Sequence, residues 1–316
     1  TFTRWPQPSP VPPLPEGRIS LAAVGDIMLS RSIEERMRVY GPSYPFDALA
    51  SLLNQADIAV GNLECVLSQG GEPAEKPYLF TLANNHTLDY GAAGLAETLA
   101  ALQSHGVRAV GGGAAASAPV ILEVRGIRVA FLARSAVGSE QDGIAWVGDE
   151  EQLRQDVQQA GQQADLLVLL LHAGDEYASE TGGEQRRLAH AAVEAGADLV
   201  IGHHSHVRQG TERYGDGFIA YGLGDFVFDI DIVDEARDGA ILWVVLTRQG
   251  VVQATWIPTR IVDDVQPRPL VGCSGQVAVQ PLFAEVTEPL PAPPSPRSTY
   301  HLWATVDPAA GRIYVR

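Results

Sequence analysis

Five apolar segments of this chain each end at polar residues that can bind a metal ion, and this repetition constrains the fold more than any other feature. In chain order, the polar residues are Asp26, Asn62 with Glu64, Asn85 with His86, His172, and His204 with His206. In layered α/β folds, loops from the carboxyl ends of several strands converge on one site. A single Asp or Asn at such a position is usually part of a turn or a helix cap. Five of them in succession predict an α/β fold with one shared site.

The densest of the five lies at residues 197–207, which read ADLVIGHHSHV. The aliphatic residues predict a short buried strand that ends at Gly202, and three histidines follow it. Side chains two residues apart on an extended segment point to the same face, so His204 and His206 are expected to reach one ion. Neutral imidazole binds Zn, Mn and Fe. The alternative is a surface loop that happens to be rich in histidine.

Helical and extended patterns alternate along the rest of the chain. The patterns predict helices at residues 30–40, 46–54, 90–105, 150–160 and 184–195, and strands at residues 18–28, 57–64, 108–113, 120–124, 127–133 and 165–171. Ser30 is expected to cap the first helix, and Gly25 with Asp26 to interrupt the first strand. We assign three later strands to a second sheet, at residues 218–221, 239–246 and 251–257.

Charge and length limit the classes of partner and the number of domains. The 316 residues have a formal net charge of −16 and no basic cluster, which argues against nucleic acid or anionic lipid as the main partner. An anionic substrate would need local positive charge, such as a metal ion. No apolar run approaches the length that spans a bilayer. The length allows one large core with a small appendage.

Proline-rich segments flank the predicted domain. Residues 1–17 are expected to form a linker, residues 18–262 the main domain, and residues 263–316 a proline-rich segment with a small β appendage. Proline-rich linkers are extended and semi-rigid. We expect the first of them to tether the domain outside the cell, at the membrane surface of the full-length protein. An artificial boundary is the alternative.

Six motifs resemble those of the poly-γ-glutamate capsule-synthesis (CapA) family, a branch of the calcineurin-like metallophosphoesterase superfamily. They occur in family order within residues 19–267, as GDIML (25–29), NLE (62–64), ANNH (83–86), HAGDEY (172–177), GHHSHVRQ (202–209) and YGLGDF (221–226). The resemblance implies a four-layer α-β-β-α sandwich with the site at the sheet edges. In the parent superfamily, two metal ions activate water for attack on a phosphoester. The expected cofactor is therefore one or two divalent ions, Mn, Zn, Fe or Mg.

The resemblance also implies a role for each matching residue. Metal ligands are expected at Asp26, Asn62, Glu64, Asn85, His172, His204 and His206. His86 is expected to protonate the leaving group or to steady the transition state. Asp26 is a further catalytic candidate, and Glu176 is expected to act as a ligand or as a general base, unless it is a plain surface carboxylate. His203 and Asp225 are expected to lie behind the ligands.

Four features depart from the family pattern. Met28 stands where the superfamily has a histidine ligand, and the Asn62 and Glu64 pair replaces a bridging aspartate. Asp225 stands where the family usually has asparagine. A helix and the start of a strand are expected between Phe80 and Thr81, where the sequence offers no crossover. Either the deletion is genuine or residues are absent from the sequence, and we expect the latter because residues 82–83 are too few for a central strand.

Three functions are consistent with these residues. The first is a metal-dependent hydrolase that acts on a phosphoester small molecule or on a related bond in a cell-surface polymer. The second is a component of poly-γ-glutamate synthesis or export that binds the acidic polymer without hydrolysing it. The third is a metal-independent acid/base enzyme, such as an epimerase, that uses the same cleft. The histidine motifs favour the first.

Overall fold

Two β-sheets pack face to face, and helices cover the outer face of each. The computed structural model describes residues 13–67, 78–229, 233–271, 277–284, 304–307 and 312–315. The first part of the chain contains β1 (Ile19–Ile27), α1 (Ser32–Tyr40), α2 (Ala50–Leu53), β2 (Ile58–Leu63), β3 (Tyr78–Thr81), α3 (Gly91–Ser104), β4 (Arg108–Val110), β5 (Val120–Val124), β6 (Ile127–Ser135) and α4 (Glu150–Gly161).

The second part of the chain completes both sheets. It contains β7 (Leu166–His172), α5 (Gly183–Glu194), β8 (Leu199–His203), β9 (Thr211–Tyr214), β10 (Gly217–Ala220), β11 (Asp225–Val227), a 3-10 helix (Asp234–Arg237), β12 (Asp238–Thr247), β13 (Gly250–Val262), β14 (Gln266–Pro269), β15 (Gln280–Ala284), β16 (Ala304–Asp307) and β17 (Arg312–Val315).

Parallel strands form the centre of each sheet. The first sheet has the order β14-β13-β12-β1-β2-β3-β4, with β11 paired to β1 and β15 to β13. The second has the order β5-β6-β7-β8-β10-β9. β1 to β4 are mutually parallel, as are β6, β7 and β8. The carboxyl ends of parallel neighbours therefore lie at one edge of each sheet, which is where sites form in such folds.

Three hydrophobic clusters account for the layers. Alternate residues of β1 point to opposite faces, so Leu21 packs in the cluster between the sheets while Val24 packs in the cluster beneath α1, α2 and α3. On the other side, β7 presents Val168 to the shared core and Leu169 to the cluster beneath α4 and α5. These clusters confirm the expected four-layer α-β-β-α sandwich.

Two of the three strands that we assigned to the second sheet belong to the first. β10 lies in the second sheet as expected, but β12 pairs antiparallel with β1, with Leu21 opposite Val244, and β13 pairs with β12. The prediction that β12 and β13 belong to the second sheet was therefore wrong. β12 is apolar on both faces over most of its length, and β13 has polar residues on both faces, so neither pattern indicated the neighbouring sheet.

Two strands continue through glycines, one at a predicted interruption and the other at a predicted end. β1 continues through Gly25 and changes its partner from β12 to β11 at that point, and β8 continues through Gly202 to His203. A Cβ at Gly25 would lie 1.7 Å from the carbonyl oxygen of Gly224. These glycines permit close approach of neighbouring backbones rather than ending the strands. Ser30 does not cap α1, whose N-cap is Arg31.

A short strand fills the central position where the family resemblance predicted missing residues. β3 is formed by residues 78–81, pairs with β2 on one side and with β4 on the other, and precedes Leu82, whose amide bonds to the Val110 carbonyl. The strand therefore lies before residues 82–83, which our prediction had taken as its remnant. The connection from β2 runs through residues 64–77, of which 68–77 lie outside the described residues.

Strands beyond residue 262 also contact the main sheet. β14 and β15 both pair with β13, and β16 pairs with β17 in a separate two-stranded sheet. The domain boundary at residue 262 stays a prediction, and most of the proposed linker, residues 1–12, lies outside the described residues. Among the described helices, none combines the length and apolar character required to cross a membrane.

A substitution at Gly202 tests the close contact between β8 and the chain after β10. A Cβ there would lie 1.8 Å from the carbonyl oxygen of Tyr221, whereas a Cβ at exposed Gly210 would meet no atom within 4 Å. We expect Gly202→Ala to lower the free energy of unfolding by about 3 kcal/mol or more, because backbone rather than a flexible side chain must move. Urea denaturation of this variant and of the control Gly210→Ala measures the difference. Equal stability of the two variants would contradict the contact.

Candidate metal centre

The predicted site residues meet where the carboxyl ends of strands from both sheets converge. Each of these residues lies at the end of a strand or in the loop that follows it. Asp26 lies on β1, Asn62 on β2, Asn85 after β3, His172 on β7 and His203 on β8. The same pocket also contains Glu64, His204, His206 and Asp225, and all of these side chains except Asn85 are buried.

Asp26 lies at the centre of the pocket. Its Oδ1 accepts a hydrogen bond from Asn62 Nδ2 at 2.8 Å and lies 3.2 Å from His203 Nδ1. Its Oδ2 accepts from the backbone N–H of His204 at 3.2 Å and lies 3.5 Å from His206 Nδ1. Burial alone would raise the pKa of Asp26, but the surrounding imidazoles outweigh burial and hold the pKa below its ordinary value.

Glu64 is fully buried beside Asp26. Its Oε1 accepts from Asn62 Nδ2 at 3.0 Å and lies 3.5 Å from His172 Nε2, whereas its Oε2 is buried without a hydrogen-bond partner. Burial and the nearby charge of Asp26 raise the pKa of Glu64 well above its ordinary value. A buried carboxylate oxygen without a partner is costly, and a cation would compensate it.

His172 and His204 form a neutral imidazole pair. Their ring centroids are 4.7 Å apart, and His172 Nε2 lies 2.8 Å from Asn85 Oδ1. Burial lowers the pKa of His172 well below its ordinary value, and the neighbouring His204 lowers it further. Burial likewise lowers the pKa of His204, whose Nδ1 is buried without a partner. Neutral imidazole is the form that binds metal.

Asp225 orients His206. Asp225 Oδ1 lies 2.9 Å from His206 Nδ1, and Asp225 Oδ2 is buried without a partner. Burial disfavours charge on His206, but the hydrogen bond to Asp225 and the charges of both aspartates outweigh it, so its pKa rises to about 10. Burial raises the pKa of Asp225 to about 7, against the effect of His206. A carboxylate on one ring nitrogen fixes an imidazole so that the other nitrogen can bind an ion.

Three overlapping groups of ligand atoms are each compact enough to hold one ion. Within each group the atoms lie within 4.8 Å of one another. The groups are Glu64 with His172 and His204, Asp26 with Glu64 and His206, and Glu176 with His204 and His206. Imidazole nitrogen together with carboxylate oxygen suits Zn, Mn or Fe. The unpartnered buried atoms of Glu64, His204 and Asp225 show that the residues present fit a divalent cation.

The turn after β8 differs from the extended segment that we expected. His204 and His206 have φ values of 91° and 55°, in the left-handed region that side chains rarely adopt. Their ring centroids are 6.0 Å apart, so both reach the pocket, although through a turn instead of strand alternation. Tyr177 has a φ of 60° and stacks on the His206 ring. Backbone strain of this kind is concentrated at functional sites.

His86 and Glu176 lie at the open side of the pocket. The side chain of His86 is 24% exposed, and its Nδ1 lies 3.0 Å from Asp89 Oδ2. It is also close enough to His204 to lower the pKa of that residue. Glu176 is exposed, yet its carboxylate belongs to one of the three ligand groups. The catalytic roles of both residues stay predictions.

Sequence reasoning missed three residues that shape the site. Asn84 bonds to Asn62, Asp89 bonds to His86, and Tyr177 packs on His206. The contact between Asp89 and His86 could have been predicted from the sequence, because residues three apart in a turn or helix are neighbours. The adjacent asparagines 84 and 85 hinted at a polar network, but their order along the chain does not reveal which faces the pocket.

Comparison with known proteins identifies the family. The family model described as "Bacterial capsule synthesis protein PGA_cap" matches residues 20–81 and 76–230. The chain belongs to this bacterial capsule synthesis family. The two matched segments overlap at residues 76–81, which include β3.

Curated relatives agree with this assignment. A "Capsule biosynthesis protein CapA" of Bacillus anthracis is 30% identical over 289 residues, which cover 80% of this chain and 70% of the relative. A "PGA biosynthesis protein CapA" of Bacillus subtilis is 28% identical over 263 residues, with 73% and 69% covered. A solved structure described as a novel phosphatase of Mycoplasma pneumoniae aligns with a TM-score of 0.52 at 12% identity, covering 77% of this chain and 94% of that one. This last likeness shows that the fold is metallophosphoesterase-like.

Removal of His204 tests the ligand assignment. His204 belongs to two of the three groups, so we expect His204→Ala to weaken Mn²⁺ binding about 100-fold, since loss of an outer-shell partner alone costs 10–100-fold. Calorimetric titration of the chelator-treated protein measures the affinity, and circular dichroism checks the fold. His105→Ala, after α3, is the matched control and should bind Mn²⁺ like wild type. An unchanged affinity for His204→Ala would contradict the assignment.

Proposed function

We propose that this protein is a metal-dependent hydrolase of capsule or poly-γ-glutamate biosynthesis that cleaves a phosphoester or a related bond. The single observation that carries the proposal is the set of overlapping ligand groups in one buried pocket. The family membership of the chain supplies the biosynthetic context. The likeness of its fold to a phosphatase supports hydrolysis but does not extend beyond the fold.

The ligand groups suggest how the ions would be held. Glu64, His172 and His204 would hold one ion, and Asp26, Glu64 and His206 a second, with Glu64 common to both. The missing imidazole at Met28 leaves one or two ions as alternatives. A divalent ion in such a site polarises the scissile group and lowers the pKa of water.

Residues at the open side would handle protons and substrate. In this proposal His86, held by Asp89, gives a proton to the leaving group; it is partly exposed and directly follows Asn85, whose Oδ1 lies 2.8 Å from His172 Nε2. Glu176 would accept a proton from attacking water or complete the ligand set. A carboxylate–imidazole pair that orients the acid is the usual arrangement for general acid catalysis.

We also propose that the substrate is a cell-surface polymer or a phosphoester small molecule. Curated relatives are named for capsule and PGA biosynthesis, which favours the polymer. A chain of net charge −16 repels polyanions, so an anionic substrate would depend on cations bound in the pocket. The proposed location is extracellular, with the full-length protein anchored to the membrane at the cell surface.

A turnover assay with a His86 variant tests hydrolysis directly. With phenyl phosphate, whose phenolate leaving group needs a proton, and Mn²⁺, wild type should release phenol, and His86→Ala should lower kcat by about 10²–10⁴-fold because the general acid is lost. Its Mn²⁺ content should match wild type, because His86 belongs to none of the three ligand groups. The control His105→Ala should keep full activity.

Other outcomes select the alternative functions. Bound Mn²⁺ without turnover on phosphoesters or on poly-γ-glutamate would favour a polymer-binding component. Failure to bind any divalent ion would favour metal-independent acid/base chemistry by residues such as Asp26 and His206. Equal turnover by wild type and His86→Ala would remove His86 from the mechanism.

A further inference from the structure

The side-chain amide of Asn62 lies between two of the predicted ligands. Its Nδ2 donates to Asp26 Oδ1 at 2.8 Å and to Glu64 Oε1 at 3.0 Å. An amide nitrogen carries two hydrogens, so both are in use. The amide oxygen, which is the atom that binds metal ions, faces away from the carboxylates and accepts from Asn84 Nδ2 at 2.9 Å.

Backbone groups fix the orientation of the Asn84 amide. Its Nδ2 donates to the carbonyl oxygen of Leu63 at 2.8 Å, and its Oδ1 accepts from the backbone N–H of His86 at 3.0 Å. The hydroxyl of Thr87 also donates to this Oδ1, at 2.9 Å. The nitrogen and oxygen of an amide are told apart by their hydrogen-bond partners. A flipped Asn84 would place oxygen against a carbonyl and NH₂ against N–H, so only one orientation satisfies the backbone.

The orientation of Asn84 determines that of Asn62. Because Asn84 presents its nitrogen, Asn62 must present its oxygen to it, and the Asn62 nitrogen must then point to the two carboxylates. A third atom lies within reach, since His172 Nδ1 is 3.3 Å from the same nitrogen. Asp26, Glu64 and His172 are all buried, so water does not replace their contacts with the Asn62 nitrogen.

The amide reduces the repulsion between two buried acids. Asp26 and Glu64 are 1% and 0% exposed, and the Asn62 nitrogen lies between them, 2.8 Å from Asp26 Oδ1 and 3.0 Å from Glu64 Oε1. A donor shared by both carboxylates draws their oxygens together, because a hydrogen bond to a charged group is about twice as strong as a neutral one. Asn62 thereby sets the separation of two carboxylates that belong to one ligand group.

We propose that Asn62 is a positioning residue that holds Asp26 and Glu64 in the geometry that binds the ion, and that Asn84 acts through it. The inference rests on the proposed function for the ion itself, and it replaces the ligand role that the family resemblance implied for Asn62. The bridging position of the superfamily is thus occupied by a hydrogen-bond donor, and Glu64 takes over as the ligand.

Mn²⁺ titration of single and double variants tests whether Asn62 positions the ligands and whether Asn84 acts through Asn62. In chelator-treated protein, Asn62→Ala and Asn84→Ala should each raise the Kd for Mn²⁺ by about 10–100-fold, with the number of ions per chain unchanged. The double variant should bind no more weakly than Asn62→Ala, because Asn84 acts only through Asn62. Asn54→Ala, outside the pocket, is the matched control and should leave the Kd unchanged.

Contrary results would overturn specific parts of the proposal. Fewer ions per chain in Asn62→Ala would make Asn62 a ligand. Additive losses of affinity in the double variant would show that Asn84 acts by another route. An unchanged Kd in Asn62→Ala would end the positioning role.

Melting temperatures of the metal-free proteins give a second test that does not depend on ion binding. They also identify any variant that folds poorly. Asn62→Asp preserves the side-chain shape but replaces two donors by a third acid, so its metal-free Tm should fall by several degrees below wild type. An equal Tm would overturn the proposal. If wild type binds no Mn²⁺, the proposed function fails, while the Tm of Asn62→Asp still shows whether the Asn62 amide holds the two carboxylates together.

Discussion

Three buried carboxylates share one pocket with four imidazoles, and the rest of the structure depends on how their charges compensate one another. Asp26, Glu64 and Asp225 are each at most 1% exposed. Burying an isolated charge costs more free energy than the net stability of a domain, so such groups must be paired, hydrogen-bonded or bound to a cation. The imidazoles and the amide of Asn62 supply part of this compensation. The carboxylate and imidazole atoms that remain unpartnered define the place where a cation fits.

The two sheets assemble this pocket because their parallel strands end at a common edge. Asp26 on β1 and His203 on β8 come from different sheets, yet their side chains lie 3.2 Å apart. Close approach of backbones makes this convergence possible. A Cβ on Gly25 would clash with the carbonyl of Gly224, and a Cβ on Gly202 with that of Tyr221, so β1 and β8 both pack closely against the segment 221–224. Packing in the three clusters keeps the edge rigid, while the open side carries His86 and Glu176.

Much of the fold follows from local patterns in the sequence. The strands predicted at residues 120–124, 127–133 and 165–171 correspond to β5, β6 and β7. The sheet to which β12 and β13 belong could not be predicted, because a strand buried on both faces has no pattern that distinguishes its neighbours. The length of β8 was underestimated because a glycine in a strand and a glycine that ends one look alike in sequence.

The site was predicted as a set of residues but not as a set of contacts. Strand ends identified which side chains converge, since that depends only on topology. The left-handed turn at His204 and His206 and the hydrogen-bond chain from Asn84 to Asn62 depend on backbone groups that are distant in sequence. An asparagine is ligand or donor according to which way its amide faces, and only its surroundings decide this.

An anomalous difference map from crystals soaked in Mn²⁺ would show whether this pocket binds a divalent ion. We expect a peak within bonding distance of Glu64 and of His204 or His206, with Asn62 Nδ2 still directed at the two carboxylates. A map without a peak in the pocket, or with peaks only at the protein surface, would contradict this expectation.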